Sequence, residues 1–235
     1  MNFDKECSEE IEAMQEDETF QKTSVAWQLM ANEHKYSYHF KWMGLPFIQM
    51  PQDIVAIQEV IWEEKPDFVI ETGVARGGGV VFYASLLEAM GHGYVIGIDI
   101  DIREQNRLAI EAHQLFKRII LLEGSSTNEV IVESVKGLCE GYLGEKVVVI
   151  LDSLHTHAHV LKELELYSKI ADYIIVLDTI IEFMPEFPDR PWGKGNNPYT
   201  AVQTFLKNND EFEVDERYEK LMISTAPSGY LKRVK

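Results

Sequence analysis

Cysteine is scarce in this chain, basic charge is outnumbered, and long apolar runs are missing. Two cysteines, Cys7 and Cys139, cannot build a disulfide framework, so a reducing, cytoplasmic setting is expected. Lys and Arg number 22 against 39 Asp and Glu, a formal charge of -17. A surface this acidic repels a phosphate backbone, which argues against nucleic acid as a partner and against adsorption to anionic lipid. No apolar run approaches the roughly 20 residues that span a bilayer. The first residues, MNFDKECSEEIEAMQEDE, are too acidic for a secretory or mitochondrial address. Two phosphate-binding signatures are also absent. There is no Gly-Lys-Ser or Gly-Lys-Thr, and the dinucleotide fingerprint fails because position 75 is Ala75.

What is present is a strand, an acid, a glycine turn and a helix. Phe68 to Gly79 reads FVIETGVARGGG, and VVFYASLLEAM follows. A short apolar run ends in Glu71, Gly73 opens the turn, and three glycines, Gly77 to Gly79, precede the helical pattern. Glycine lets a backbone approach a ligand without a Cβ in the way. A carboxylate just before the turn disfavours phosphate and tolerates a cationic ligand. S-adenosylmethionine fits, since it carries an ammonium and a sulfonium and no phosphate. The next apolar run, YVIGID, ends in Asp99, whose carboxylate suits both hydroxyls of a ribose. The bland alternative is an ordinary strand-to-helix turn.

Strand and helix patterns alternate from there. Apolar strand candidates lie at 67–71, 94–99, 118–122, 147–151 and 173–177. Helical patterns lie near 79–90, 103–116, 127–139 and 156–170, with another near 198–207 and a Pro51-initiated helix before them all. Such alternation predicts right-handed βαβ units and a parallel sheet covered on both faces. Three final runs, EFEV, LMIS and GYLKRV, supply a closing antiparallel pair. The expected fold is a three-layer α/β/α Rossmann-like sheet of seven mostly parallel strands with a terminal antiparallel hairpin. Residues 1–50 are expected to form a helical and irregular extension packed on the domain or a partner subunit, and 51–235 the catalytic domain.

Ligands in open α/β sheets sit beyond the carboxyl ends of the strands. Glu71, Asp99 with Asp101, Glu123-Gly124-Ser125-Ser126, Asp152-Ser153-Leu154-His155 and Asp178-Thr179 all fall there. Buried carboxylates cost desolvation free energy unless something compensates them, so a shared cationic ligand or a metal is implied. The alternative is that each acid caps its following helix. Asp152 and Asp178 on neighbouring strands suit a hard cation such as Mg²⁺. His155, three residues after Asp152, suits proton abstraction from a substrate hydroxyl, with His157 and His159 as rivals. The stretch EFMPEFPDRPWGKGNNPYT (182–200) reads as a long loop, either a substrate lid carrying Arg190, Trp192, Lys194, Asn196, Asn197 and Tyr199 or a subunit interface.

The motifs IQMPQDIVAIQEVIWEEKPDFVIETG, RGGG, VIGIDIDIR, EGSS, LDSLHTHAHV, VLDT, DRPWGKGNNP and GYLKRV, in this order, resemble the cephalosporin hydroxylase-like and rhamnosyl O-methyltransferase family. No iron-binding facial triad is recognisable. The resemblance implies an S-adenosylmethionine-dependent, Mg²⁺-assisted O-methyltransferase that acts on sugars or natural products and forms oligomers. It implies that Glu71, Gly73, Arg76, Gly77 and Gly78 hold the methionine end of the cofactor. Asp99 would hold the ribose, and Gly124, Ser125 and Ser126 the adenine end. Asp152 would be shared between cofactor and metal. Asp152 and Asp178 would bind the metal, with His155 as base. Family members often have Glu-Asp where this chain has Leu177-Asp178, so Glu182 from the following loop, or water, is the expected substitute ligand. A non-catalytic cofactor-binding protein and an NAD-dependent enzyme are the readings that compete.

Overall fold

The computed structural model describes residues 3–141, 146–185 and 188–235. Residues 186 and 187 of the long loop lie outside the described residues.

Two helices open the chain, α1 (Phe3–Glu16) and α2 (Glu18–Glu33). Asp17 separates and caps them, its Oδ1 accepting from the amides of Thr19 and Phe20 at 2.9 and 3.0 Å. A short hairpin follows, β1 (Lys41–Trp42) and β2 (Leu45–Pro46). It is pinned to the body by Trp42, whose indole donates to Ser85 Oγ at 3.0 Å and meets the Phe82 ring edge-on at 4.7 Å. Helix α3 (Pro51–Glu64) begins at a proline, which needs no amide partner there.

The alternating region then runs β3 (Phe68–Thr72), α4 (Gly78–Met90), β4 (Tyr94–Asp99), α5 (Glu104–Glu111), β5 (Ile119–Glu123), α6 (Glu129–Gly141), β6 (Val147–Leu151), α7 (His157–Tyr167) and β7 (Tyr173–Val176). After the long loop come α8 (Pro198–Asn208), β8 (Phe212–Val214) and β9 (Tyr230–Arg233). The seven strands lie in the order β5-β4-β3-β6-β7-β9-β8. Only β9 runs antiparallel to its neighbours, so it sits between β7 and the edge strand β8. The closing pair is therefore made by EFEV and GYLKRV. The middle run, LMIS, forms no strand. Its Ser224 instead donates to the buried carboxylate of Asp53 at 2.5 Å, and the Thr225 amide donates to the same carboxylate at 2.8 Å.

Both faces of the central strands are buried, which is why they read as continuous apolar runs. Val69, Val148 and Ile150 pack towards α3, α4 and α5, against Ile57, Val81, Leu87 and Ile110. Phe68, Ile70, Val149 and Leu151 pack the other way, against Val132, Leu164, Val202 and Phe205 of α6, α7 and α8. Among the described residues no helix is long and apolar enough to cross a membrane.

Chain order reverses direction across the sheet between β3 and β6, which places a crevice beyond their carboxyl ends. Gly73 closes the two strands at that point. A Cβ there would stand 2.1 Å from the Asp152 carbonyl oxygen, and Gly73 has φ +95°. Gly91 has a similar φ, +82°, but open space around it. Gly91→Ala should cost about 1–2 kcal/mol for the left-handed backbone alone. Gly73→Ala should cost at least about 3 kcal/mol, because the strand ends must also move apart. Urea unfolding checks this, and equal losses for the two variants would show that the close approach at Asp152 is unimportant.

Candidate active site

A cleft of about 1070 Å³ opens at the carboxyl ends of the strands. One half is lined by Gly73, Asp99, Gly124, Ser125, Ser126 and Asp152, and Ile100 and Leu154 stand exposed beside them. The other half is walled by the end of α2 and the turn after it, and by Ile180, Met184 and Trp192 beyond β7. The volume admits a nucleoside-sized ligand and a second small ring together.

Asp152 and Asp178 meet between the halves, where β6 and β7 end. His155 joins them. One ligand atom from each of the three residues can be chosen so that all lie within 4.8 Å of one another. His155 Nε2 is 3.2 Å from Asp178 Oδ2, and its ring meets Trp192 edge-on at 4.8 Å. Burial raises the Asp152 carboxyl well above its ordinary range, and the neighbouring charges of Asp178, Glu71, Glu163 and Asp53 raise it further. Asp178 has the left-handed φ of +57°, uncommon for a residue with a side chain. Two carboxylate oxygens, an imidazole and excess negative charge fit a hard divalent cation such as Mg²⁺, with water completing the shell.

The histidines are separated by their neighbours. His157 lies outside the cleft, with Nδ1 2.8 Å from Thr200 Oγ1 and its amide donating to Asn196 Oδ1. His159 is bound into a network, its Nε2 3.2 Å from Ser126 Oγ, 3.1 Å from Ser153 Oγ and 3.5 Å from Glu163 Oε1. All three contacts use one nitrogen, so this is not a nucleophile–base–acid relay. It ties the ends of β5 and β6 to each other. His155 alone of the three stands beside the two aspartates.

Glu182, the expected third acid, is spent elsewhere. Its carboxylate accepts from the Gly195 amide at 2.8 Å and from Asn197 Nδ2 at 2.6 Å, and these bonds pull its pKa below the ordinary value. Leu177 is not a gap in the cleft wall either. It is buried in the core beside the sheet, and its amide continues the β6–β7 pairing by donating to Leu151 O at 3.0 Å. The third group near the aspartates is therefore His155.

The loop asparagines also turn inward. Asn196 donates to Pro191 O and caps α7, while Asn197 caps α8 in a reciprocal box with Thr200. Tyr199 packs edge-on against Phe183. Of the loop residues singled out in the sequence, Arg190 and Trp192 face the cleft.

The glycine turn differs most from its sequence reading. A Cβ on Gly77 would strike Ile110 at 2.4 Å, and one on Gly78 would strike Pro46 O at 2.3 Å. One on Gly79 would stand 2.1 Å from Glu71 Oε1. These glycines admit protein atoms, not a ligand. Arg76 is exposed and, like Gly77, Gly78 and Glu71, does not line the cleft. Gly73 does, and the turn is braced from the next strand. Asp99 Oδ2 accepts from the Ala75 amide at 3.0 Å, and Asp99 Oδ1 from that of Asp101 at 3.1 Å.

Glu71 lies under the turn, 3% exposed, with Oε2 lacking a hydrogen-bond partner. Burial pushes its pKa up to about 8, the nearby Tyr83 hydroxyl offsets part of this without completing a full hydrogen bond, and the Asp99 charge adds a smaller rise. A buried carboxyl with a spare oxygen beside a strand-end cleft suits a cationic ligand.

Comparison with known proteins shows the family and the fold. A family model described as rhamnosyl O-methyltransferase/CmcI matches residues 34–234. The chain belongs to this family. It is 30% identical over 214 residues to a rhamnosyl O-methyltransferase of Mycobacterium tuberculosis, covering 85% of this chain and 83% of the relative. A CmcI structure described as an Mg-SAM form superposes with a TM-score of 0.57 at 20% identity, over 84% of this chain and 78% of that one. An O-methyltransferase from Bacillus cereus, in complex with SAH, superposes at 0.51 and 15% identity over 91% of each chain. These structures share the fold.

The raised pKa of Glu71 has a measurable sign. Its folded value lies above its unfolded one, so the stability it contributes is complete below about pH 4.5 and lost as pH rises to about 8. Glu71→Gln removes the titration. The stability of wild type relative to Glu71→Gln, without ligand, should fall by about 1.4 kcal/mol per pH unit across that window. Parallel pH curves for the two proteins would refute a protonated Glu71.

Proposed function

We propose that this chain transfers the methyl group of S-adenosylmethionine to a hydroxyl of a sugar, with a natural-product ring hydroxyl as the second candidate. The observation that carries this reading is the meeting of Asp152, His155 and Asp178 between the two halves of one cleft, in a member of a family named for rhamnosyl O-methyl transfer. When bound, S-adenosylmethionine supplies an electrophilic methyl, and Mg²⁺ supplies positive charge that lowers the pKa of a hydroxyl.

The chain's own residues divide the remaining work. Gly73, Asp99, Gly124, Ser125 and Ser126 would receive the donor, with Asp99 at the ribose and Glu71 placed to balance its cationic end. Ile100 and Leu154 offer apolar faces to a flat base. Asp152 and Asp178 would hold the cation. His155 stands where it can take the acceptor proton, oriented by Asp178 on one side and Trp192 on the other. Trp192 also offers a ring face for a pyranose. Catalysis by such a site is mainly positioning and charge stabilisation. A non-catalytic role receives no support from position 177, because its side chain belongs to the core.

Asp178→Ala should lower methyl transfer at least about a hundredfold while calorimetry finds S-adenosylmethionine affinity changed only a few-fold. His155→Ala should lower transfer by roughly 10²–10⁴-fold. EDTA should abolish transfer by the wild type, and Mg²⁺ should restore it. Near-normal turnover of either variant in EDTA would overturn the metal-assisted mechanism.

A further inference from the structure

The acceptor half of the cleft carries a charge pattern that transfer to a neutral sugar leaves unexplained. The chain has 39 acidic residues against 22 basic ones. The donor and metal readings account for the lining carboxylates Asp99, Asp152 and Asp178. Two cations also line the cleft, Lys35 and Arg190. Four of the seven arginines, Arg107, Arg118, Arg217 and Arg233, have a carboxylate partner, and none of these four lines the cleft. Among the described residues neither Lys35 nor Arg190 has an ion pair, in a chain with acids to spare.

Their placement is specific. Arg190 lies over the Trp192 ring, with Cζ 5.1 Å from its centroid. Trp192 meets His155 edge-on, so the guanidinium stands two ring contacts from the two aspartates. Lys35, exposed like Arg190, lines the cleft from another element, the turn that follows α2. It has φ +51°, a left-handed conformation that glycine or asparagine usually fills at a helix end. The cations thus come from separate elements and share one cavity beside the cluster. A stacked guanidinium presents a rigid fork that matches a carboxylate, and an ammonium adds a second, adaptable donor.

We infer that the acceptor is an acidic sugar, a pyranose whose carboxylate is held by Arg190 and Lys35 while one of its hydroxyls is presented to His155. This rests on the methyl-transfer reading of the same cleft and narrows its substrate class. Bond changes are those of that reaction: the acceptor oxygen gains the methyl, the sulfonium becomes a neutral thioether, and the hydroxyl proton leaves to base. The carboxylate is a handle and takes no part.

The test pairs the wild-type protein, Mg²⁺ and S-adenosylmethionine with a panel of methyl uronides, their matched neutral glycosides and the uronide methyl esters. We expect kcat/KM for at least one uronide to exceed that of its neutral match and its ester by about tenfold or more. Arg190→Gln and Lys35→Gln should each remove most of that preference through KM, and Arg190→Lys should recover part of it. S-adenosylmethionine affinity should stay within about twofold in all of them. Turnover of neutral glycosides as good as that of uronides, or turnover of no panel member, overturns the inference. So does loss of S-adenosylmethionine binding in the variants, which would assign the two cations to the donor's own carboxylate. Failure of the wild type to bind S-adenosylmethionine at all would instead sink the methyl-transfer reading beneath it.

Discussion

The carboxyl ends of β3, β6 and β7 crowd acids into a space where ionising one raises the cost of ionising the next. Burial and mutual repulsion lift Asp53 to about 6 and Glu71 to about 8, and push Asp152 well above the ordinary range. A parallel sheet needs none of these groups for its stability. The structure compensates them unequally. Asp53 is satisfied internally by Ser224 and Thr225, while Glu163 accepts from Ser153 Oγ at 2.8 Å through one oxygen and leaves its Oε2 without a partner. Glu71 keeps an orphan oxygen, and Asp152 and Asp178 face one another across open space with one histidine beside them. Of these acids Asp152 and Asp178 line the cleft, and a cation would compensate them.

That imbalance explains features remote from the chemistry. Within 221–226 the Ser224 hydroxyl and the Thr225 amide and hydroxyl turn to Asp53 and not to a neighbouring strand. The three glycines after Arg76 are needed because the hairpin, α5 and the Glu71 carboxylate all press against the start of α4. Packing the turn this tightly gives Gly73 and Ala75 a fixed position against Asp152 and Asp99. The glycine run makes room for these neighbours, and Gly73 is the glycine of the turn that lines the cleft.

Much of this was legible in the sequence, and the physical reason is the strand. Five apolar runs, each ending near an acid, fix the elements and their order to within a residue or two, because buried parallel strands leave an unbroken apolar signature. Asp152, His155 and Asp178 could be grouped because strand ends of one sheet must share an edge. The losses came where neighbours decide. Nothing local distinguishes a glycine that admits a ligand from Gly77, which admits Ile110. Nothing local shows that Asn196 and Asn197 cap helices, or that Glu182 ties its loop at Gly195. Ile100 and Leu154 carried a signal that could have been used: each is apolar, immediately follows a strand-end acid or lies two residues beyond one, and has no place in a helical stripe.

Position 177 shows why a missing acid need not mean a lost site. The side chain there packs in the core, so a carboxylate would be buried in apolar surroundings at a cost of several kcal/mol unless a cation met it. Leucine avoids that cost and leaves two aspartates, Asp152 and Asp178, at the strand ends. His155 stands beside them in place of a third carboxylate, and in the proposed metal-assisted reaction it would add a ligand or base without a further acid. With Glu71, Asp53 and Glu163 already within reach of Asp152, another acid would raise the Asp152 carboxyl further and weaken its ionised form as a ligand.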